Sequence, residues 1–350
     1  MELKRLPILP TASRLDLANA CPASCVLPSE DGEPGDAVYR GNVAHKYLED
    51  IANGITQAVA LQDVPVEMLP WIRALPIERM FQGLGNVRPE VPYAVNVITR
   101  FVRVLNGGHR DYADRTDDEF VGTVDLIATR PDGRALIRDY KTGANLGDPA
   151  TKLQLRFAAL ALHLETGAQE IDVEFAYILQ DGAVQYDTAT LNVWDFDETF
   201  ETLVRLRESI TQARHRYSAG EPLSVRTGQH CRFCPAFWSC PAKIGALRTV
   251  TQLDVRRLPT RQSALREFWQ KYEETRQIID RAKPLVTEYV DRDEIPLDDH
   301  TCVRMITSTK REYAVEKLKR LALSLGATDA QLLGCVSSNT FSYPKVVKRK

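Results

Sequence analysis

The sequence predicts an α/β fold, in which a mixed β-sheet flanked by helices is followed by a C-terminal, mainly helical extension. Three observations predict it. Apolar residues recur at helical spacing up to about residue 90, then at a period near two from Val91. Strand-like runs are joined by tight-turn signals, Arg130-Pro131-Asp132-Gly133 and Asp181-Gly182. A strongly apolar helical stretch, 150–166, interrupts those runs and ends at Gly167.

In chain order, residues 13–20 read as a short helix capped by Ser13 and stopped at Cys21-Pro22. Residues 26–38, rich in Pro, Gly, Asp and Glu, read as a loop. Val43, Tyr47, Leu48 and Ile51 give the next helix, which stops at Asn53-Gly54. Residues 60–90 are mixed, helical and punctuated by proline. Strands are expected over 91–103, 119–129 and 134–140, and a second hairpin over 171–180 and 183–191. A long amphipathic helix at about 194–218 leads into a cysteine segment. Beyond residue 250 the pattern predicts a long helix over 261–291 bent at Pro284, a β segment at 300–308, a helix at 313–325 and a solvated basic tail. Two domains follow, 1–250 and 251–350.

Composition bounds the function. The chain has 350 residues, enough for a large core, with 44% apolar and 26% charged residues as in globular proteins. No run of eighteen apolar residues suits a membrane span, and the N-terminus lacks a secretory apolar stretch, so a cytoplasmic location is expected. The net charge of −2 carries no global sign of nucleic-acid binding. Residues 251–350 hold 19 Lys/Arg against 14 Asp/Glu, a mild basic bias compatible with a polyanionic partner.

The densest chemistry lies in Val121-Gly-Thr-Val-Asp125 and Asp139-Tyr-Lys141-Thr-Gly143. Residues two apart on a strand share a face, so Asp139 and Lys141 point together, beside Asp125 on the neighbouring strand. Carboxylate oxygens of this kind suit a hard cation, Mg²⁺ or Mn²⁺. Such an ion lowers the pKa of bound water and neutralises a scissile phosphate, and a lysine beside it positions the water and stabilises negative charge. Taken alone, Asp-x-Lys on a strand is more often a surface ion pair. Three further residues line up with it. His45 in Gly41-x-x-x-His45 is a ligand from the earlier helix, Gln154 opens the apolar helix, and Glu90 precedes the first strand as a further carboxylate.

The succession G-x-x-x-H, G-x-x-D, D-x-K-T-G and a Gln-led apolar helix resembles the RecB-like branch of the PD-(D/E)XK nuclease superfamily. That resemblance implies a restriction-endonuclease-like core and hydrolysis of DNA with Mg²⁺ or Mn²⁺. It further implies His45, Asp125, Asp139 and the Tyr140 carbonyl as metal ligands, and Asp125, Asp139, Lys141 and Gln154 as catalytic residues. The Q-x-x-x-Y pattern is departed from, because position 158 is alanine.

Seven cysteines without an export signal point to thiol or metal chemistry rather than disulfides. Cys231-x2-Cys234-x5-Cys240-Pro241 supplies three thiolates, and Cys21, with Cys25 as alternative, a fourth. Four cysteines hold either a [4Fe–4S] cluster or a structural Zn²⁺. The arrangement also resembles the iron–sulfur subgroup of these nucleases, the AddB-type and CRISPR-associated RecB-like proteins. That implies a cluster stapling the two ends of the domain, and DNA exonuclease work on ends or single strands in recombination, repair or mobile-element defence, with a helicase or recombination protein as partner. The competing reading is a catalytically inactive, iron–sulfur or zinc DNA-binding protein of the same fold.

Overall fold

The computed structural model describes residues 9–29, 36–106, 111–142 and 147–243. Beyond these it describes residues 269, 272–273 and 276–283 and the strands at 295–296, 301–313 and 336–348. Two compact units divide at Ile244–Gly245.

In the first unit a 3-10 turn, Ala12–Arg14, leads into α1 (Leu15–Ala20). Ser13 therefore lies inside the turn, not at the helix cap, and its hydroxyl meets that of Thr11 at 3.1 Å. α2 (Asp36–Ala52) follows, then the short helices α3 (Gln57–Ala60), α4 (Leu69–Arg73) and α5 (Ile77–Phe81), which resolve the proline-punctuated stretch.

The expected strand over 91–103 is two strands. β1 (Gly85–Asn96) ends where the Asn96 side chain accepts the N–H groups of Ile98 and Thr99, and β2 (Phe101–Val104) returns antiparallel. That side-chain turn is the signal a hydrophobic period misses. β3 (Glu119–Thr129) and β4 (Ala135–Lys141) form the hairpin around Arg130–Gly133. α6 (Leu153–Thr166) then crosses over to β5 (Glu170–Ile178), parallel to β4, as a crossover helix permits. β6 (Val184–Asn192) closes the hairpin around Asp181-Gly182. α7 (Val193–Ser218) starts with a reciprocal cap between Asn192 and Asp195.

The result is a mixed six-stranded sheet, ordered β2-β1-β3-β4-β5-β6, with helices on its faces. One core gathers Phe120, Val124, Phe157, Leu160, Phe175, Phe196 and Leu203 between the sheet and α6 and α7. The other gathers Tyr47, Leu48, Ile72, Met80, Leu126 and Tyr140 beneath α2 and the short helices. Gly122 is a packing requirement: a Cβ there would stand 2.3 Å from Ala12 Cβ and 3.1 Å from Phe157.

In the second unit, residues 276–283 are helical. β7 (Ile295–Pro296), β8 (Thr301–Tyr313) and β9 (Val336–Lys348) form an antiparallel sheet ordered β7-β8-β9. The tail, expected as part of a solvated end, pairs with β8 over residues 344–348. Its alternation of apolar and polar residues is diluted by lysines, which hides a strand from a reading of charge. The expected bend at Pro284 and most of the expected helix at 313–325 fall outside the described residues.

Candidate metal centre

The ladder between β3 and β4 pairs Thr129 with Ala135 through to Leu126 with Arg138, and there it stops. The next opposed positions are Asp125 and Asp139. Tyr140 N–H is satisfied by the Asp125 carboxylate, donating to Oδ2 at 2.8 Å. A side chain thus replaces a backbone acceptor and lets the strands part without leaving a buried donor unpaired.

Side-chain alternation along β3 also changes at this point. Phe120 and Val124 enter the core under α6, as does Ile127, whereas Leu126 and Ala128 enter the core under α2. Directly across β1, Glu90 lies between the pairs Pro89–Leu126 and Val91–Val124, opposite Asp125. Its φ is +46°, a left-handed conformation that a glutamate adopts at a cost of roughly 1–3 kcal/mol. The strand is wrinkled where its carboxylates gather.

His45 comes from α2. Gly41, one turn earlier, allows the helix close to the end of β4, since a Cβ there would touch Thr142 Oγ1 at 3.4 Å. His45 Nε2 lies 2.9 Å from the Tyr140 carbonyl oxygen. Its Nδ1 is buried without a hydrogen-bond partner, 3.4 Å from Asp125 Oδ1. One donor atom each from His45, Glu90 and Asp125 lie within 4.8 Å of one another, and among the described residues this is the one such group of three or more potential ligands.

On the other side of the notch, Lys141 Nζ is 2.6 Å from Asp139 Oδ2. Gln154, in the first turn of α6, donates from Nε2 to Asp139 Oδ1 at 2.7 Å and accepts from Lys141 Nζ at 3.4 Å. Gln154 thus braces Asp139 and Lys141. The α6 turn that carries it is held by Asp16 of α1, whose Oδ1 accepts the Leu153 N–H at 3.3 Å. Ala158, four residues on, is buried in the core below.

Charge explains how these groups coexist. Burial alone would hold the His45 imidazole neutral, but the carboxylates of Asp125, Asp139 and Glu90 outweigh it and raise its pKa to about 9. Against its own burial, Asp125 is held below the usual carboxylate range by His45 and Lys141. Asp139 is raised to about 6, because burial outweighs the pull of Lys141 and Asp125 repels it. Three buried or half-buried carboxylates facing an imidazolium and an ammonium form a notch whose chemistry asks for a cation.

The cysteines gather elsewhere. Cys21, at the C-cap of α1, lines a small pocket with Cys231, Cys234 and Cys240. Burial raises the Cys231 and Cys234 thiols, and Cys21 and Cys240 push each of them in the same direction, which marks the four as electrostatic neighbours. Cys25 lines a different cavity, and burial pushes its thiol up to about 11.

Of the residues singled out from sequence, the structure brings His45, Asp125, Asp139, the Tyr140 carbonyl, Lys141 and Gln154 to one notch. Glu90, expected only as a further carboxylate before the first strand, stands among the donors. Its signal was present but indistinct, since a glutamate before a strand is common. Asp16 was missed as a brace, because its partner is 137 residues away.

A comparison with curated protein sequences finds no significant relative. Among solved structures, one titled "Crystal structure of SSO0001" is 19% identical, covering 58% of this chain and 84% of that chain at a TM-score of 0.29. So loose a superposition adds nothing to the geometry above. A family model described as the PD-(D/E)XK nuclease superfamily matches residues 11–241. That span contains the parted strands, the notch and the cysteines of the small pocket. With an acidic notch that could hold a metal ion at the split of a mixed sheet, and the family model covering most of its length, the chain belongs to the PD-(D/E)XK nuclease superfamily.

Proposed function

We propose that this protein is a Mg²⁺- or Mn²⁺-dependent deoxyribonuclease of the RecB-like branch, working as an exonuclease on DNA ends or single strands. The observation that carries the reading is the notch itself, in which His45, Glu90 and Asp125 present donors within 4.8 Å while Lys141 stands against Asp139. Hard oxygen ligands with one imidazole suit a small divalent cation, and the unbonded His45 Nδ1 marks a position built for more than the bonds now made there. His45, Glu90, Asp125, Asp139 and the Tyr140 carbonyl would hold the ion. Bound there, it supplies charge neutralisation at the phosphate and a more acidic water.

The remaining work falls to the chain. Lys141 orients the attacking water and stabilises the charge that develops on the phosphate oxygens. Asp139 and Gln154 restrict the Lys141 ammonium to one position, so little reorganisation is needed at the moment of reaction. Tyr140 N–H fixes the Asp125 carboxylate, leaving its other oxygen toward His45.

The test uses end-labelled single- and double-stranded DNA with Mn²⁺ or Mg²⁺, beside Lys141→Ala. Wild type should degrade DNA progressively from ends, and the variant should lose at least about a hundredfold in rate. Equal inertness, or equal activity, of the two proteins would remove the proposal.

We further propose a [4Fe–4S] cluster held by Cys21, Cys231, Cys234 and Cys240. Four thiols from both ends of the domain around one small pocket support this reading, as does the resemblance of the cysteine spacing to the iron–sulfur subgroup. Anaerobically purified protein should be brown with broad absorbance in the visible; a colourless protein carrying zinc would reverse the choice.

A further inference from the structure

Between α1 and the cysteine pocket lies a cavity of about 390 Å³, within the range of small-ligand sites. Its charged lining is basic: Arg14 and Arg115 line it with the hydroxyls of Thr11, Ser13, Ser24 and Ser29, and among the described lining residues there is no carboxylate. Arg115 donates one bond to the Leu9 carbonyl at 3.3 Å, which fixes the guanidinium at the wall. Burial holds Arg115 below the ordinary arginine value, and Arg214 adds to this while Tyr112 and Asp117 oppose it. Several guanidinium groups therefore crowd one region where Asp117 is the nearby counter-charge. Hydroxyl donors beside guanidinium forks are the chemistry that binds phosphate.

The position gives this chemistry a use. Ser13, Arg14 and Leu17 line the cavity, while Asp16, on the same helical turn, braces the start of α6 beside Lys141 and Gln154. The metal notch and the cavity are thus approached from two sides of one short helix. Ser24 and Leu27 line both the cavity and the cysteine pocket, so the two adjoin.

We propose that this cavity is a second DNA subsite, holding one phosphate of the substrate strand away from the scissile one. The proposal rests on the nuclease reading above for the identity of the substrate, but not for the binding itself. The phosphate is either internal to the strand or terminal.

The experiment measures binding of a fluorescent single-stranded oligonucleotide to the full-length protein without added divalent cation, so that no hydrolysis intervenes. Oligonucleotides with a 5′-phosphate, a 3′-phosphate or neither are compared across a salt series. Arg14→Ala, which removes an exposed side chain and should leave the circular dichroism spectrum unchanged, should weaken binding roughly fivefold and lower the salt slope by about 0.7. Arg14→Lys should restore most of the slope, and Arg115→Ala should act in the same direction as Arg14→Ala. If the variants weaken every oligonucleotide alike, the phosphate is internal; if they erase a preference for one terminal phosphate, it is that terminus. Unchanged affinity and slope in Arg14→Ala, or a loss that Arg14→Lys does not recover, overturns the subsite. Hydrolysis is scored separately, so inert wild type that still binds through Arg14 removes the nuclease reading and leaves the cavity standing.

Discussion

The acidic notch and the cysteine pocket both gather side chains of the kinds that can ligate a metal, within one domain, yet they are built in opposite ways. Every group at the notch comes from a regular element: His45 from α2, Glu90 from β1, Asp125 from β3, Asp139 and Lys141 from β4, and Gln154 from α6. Backbone ladders hold those positions before any ion arrives. The cysteines come from a helix C-cap, a five-residue 3-10 turn and the turns after it. Their backbone N–H groups are held by short turn bonds within each segment rather than by a ladder, so a group bound by the four thiols, as proposed above, would tie the segments together. On the reading proposed above, the notch is ordered before its cation arrives, whereas the cysteine pocket would take its final order from the group it binds.

That contrast can be broken most sharply by paired substitutions. Lys141→Ala should reduce DNA hydrolysis at least about a hundredfold, with a melting temperature lowered by only a few degrees through the lost Asp139 ion pair. Cys231→Ser should do the reverse, lowering the melting temperature by on the order of 10 °C and cutting folded yield, while surviving protein retains its chemistry. Calorimetry and single-turnover rates on both variants decide the matter. A stable but catalytically dead Cys231→Ser would erase the distinction.

A second test concerns protons at the notch. In the metal-free protein His45 has a pKa raised to about 9 from an ordinary 6.5, so its contribution to stability is complete below pH 6.5 and is lost as pH rises towards 9. A divalent cation bound as proposed would replace the positive charge of that imidazolium. Mn²⁺ affinity should therefore rise with pH across the same window, by up to about tenfold per unit, with release of up to one proton per ion. Titration calorimetry in buffers of different ionisation enthalpy reads both quantities; a flat profile from pH 6.5 to 9 would show that His45 does not compete with the ion.

Two smaller effects sharpen the comparison. Gly122→Ala sets a methyl group against Ala12 and Phe157, and should destabilise the domain by roughly 1–3 kcal/mol in chemical denaturation. Glu90→Gly should act in two directions: relief of the left-handed backbone stabilises the metal-free protein by about 1 kcal/mol, while Mn²⁺ binding weakens roughly tenfold. A variant that binds the ion as well as wild type would exclude Glu90 from the ligand set.

Most of the α/β core could be read from residue pattern, because its determinants are local. The turns at Arg130–Gly133 and Asp181-Gly182 carry their own conformational chemistry, and the apolar run of α6 is long enough to identify a helix. Asp139 and Lys141 share a strand face by the two-residue period alone. The break between β1 and β2 escaped because it depends on one asparagine side chain capping two amides. The strand over Val336–Lys348 escaped because lysines interrupt its alternation and its partner lies more than twenty residues upstream.

Local chemistry thus dictated the elements, the presence of two carboxylates and a lysine on neighbouring strands, and the grouping of three cysteines. Tertiary structure alone decided that β3 and β4 part at Asp125, that Glu90 turns into the notch through a strained backbone, that Gln154 braces Lys141, and that Cys21 rather than Cys25 faces the other three thiols. The physical reason is range. Period and turn propensity act over a few residues, while strand separation, buried charge balance and close packing depend on groups brought together from 15 to more than 200 positions apart.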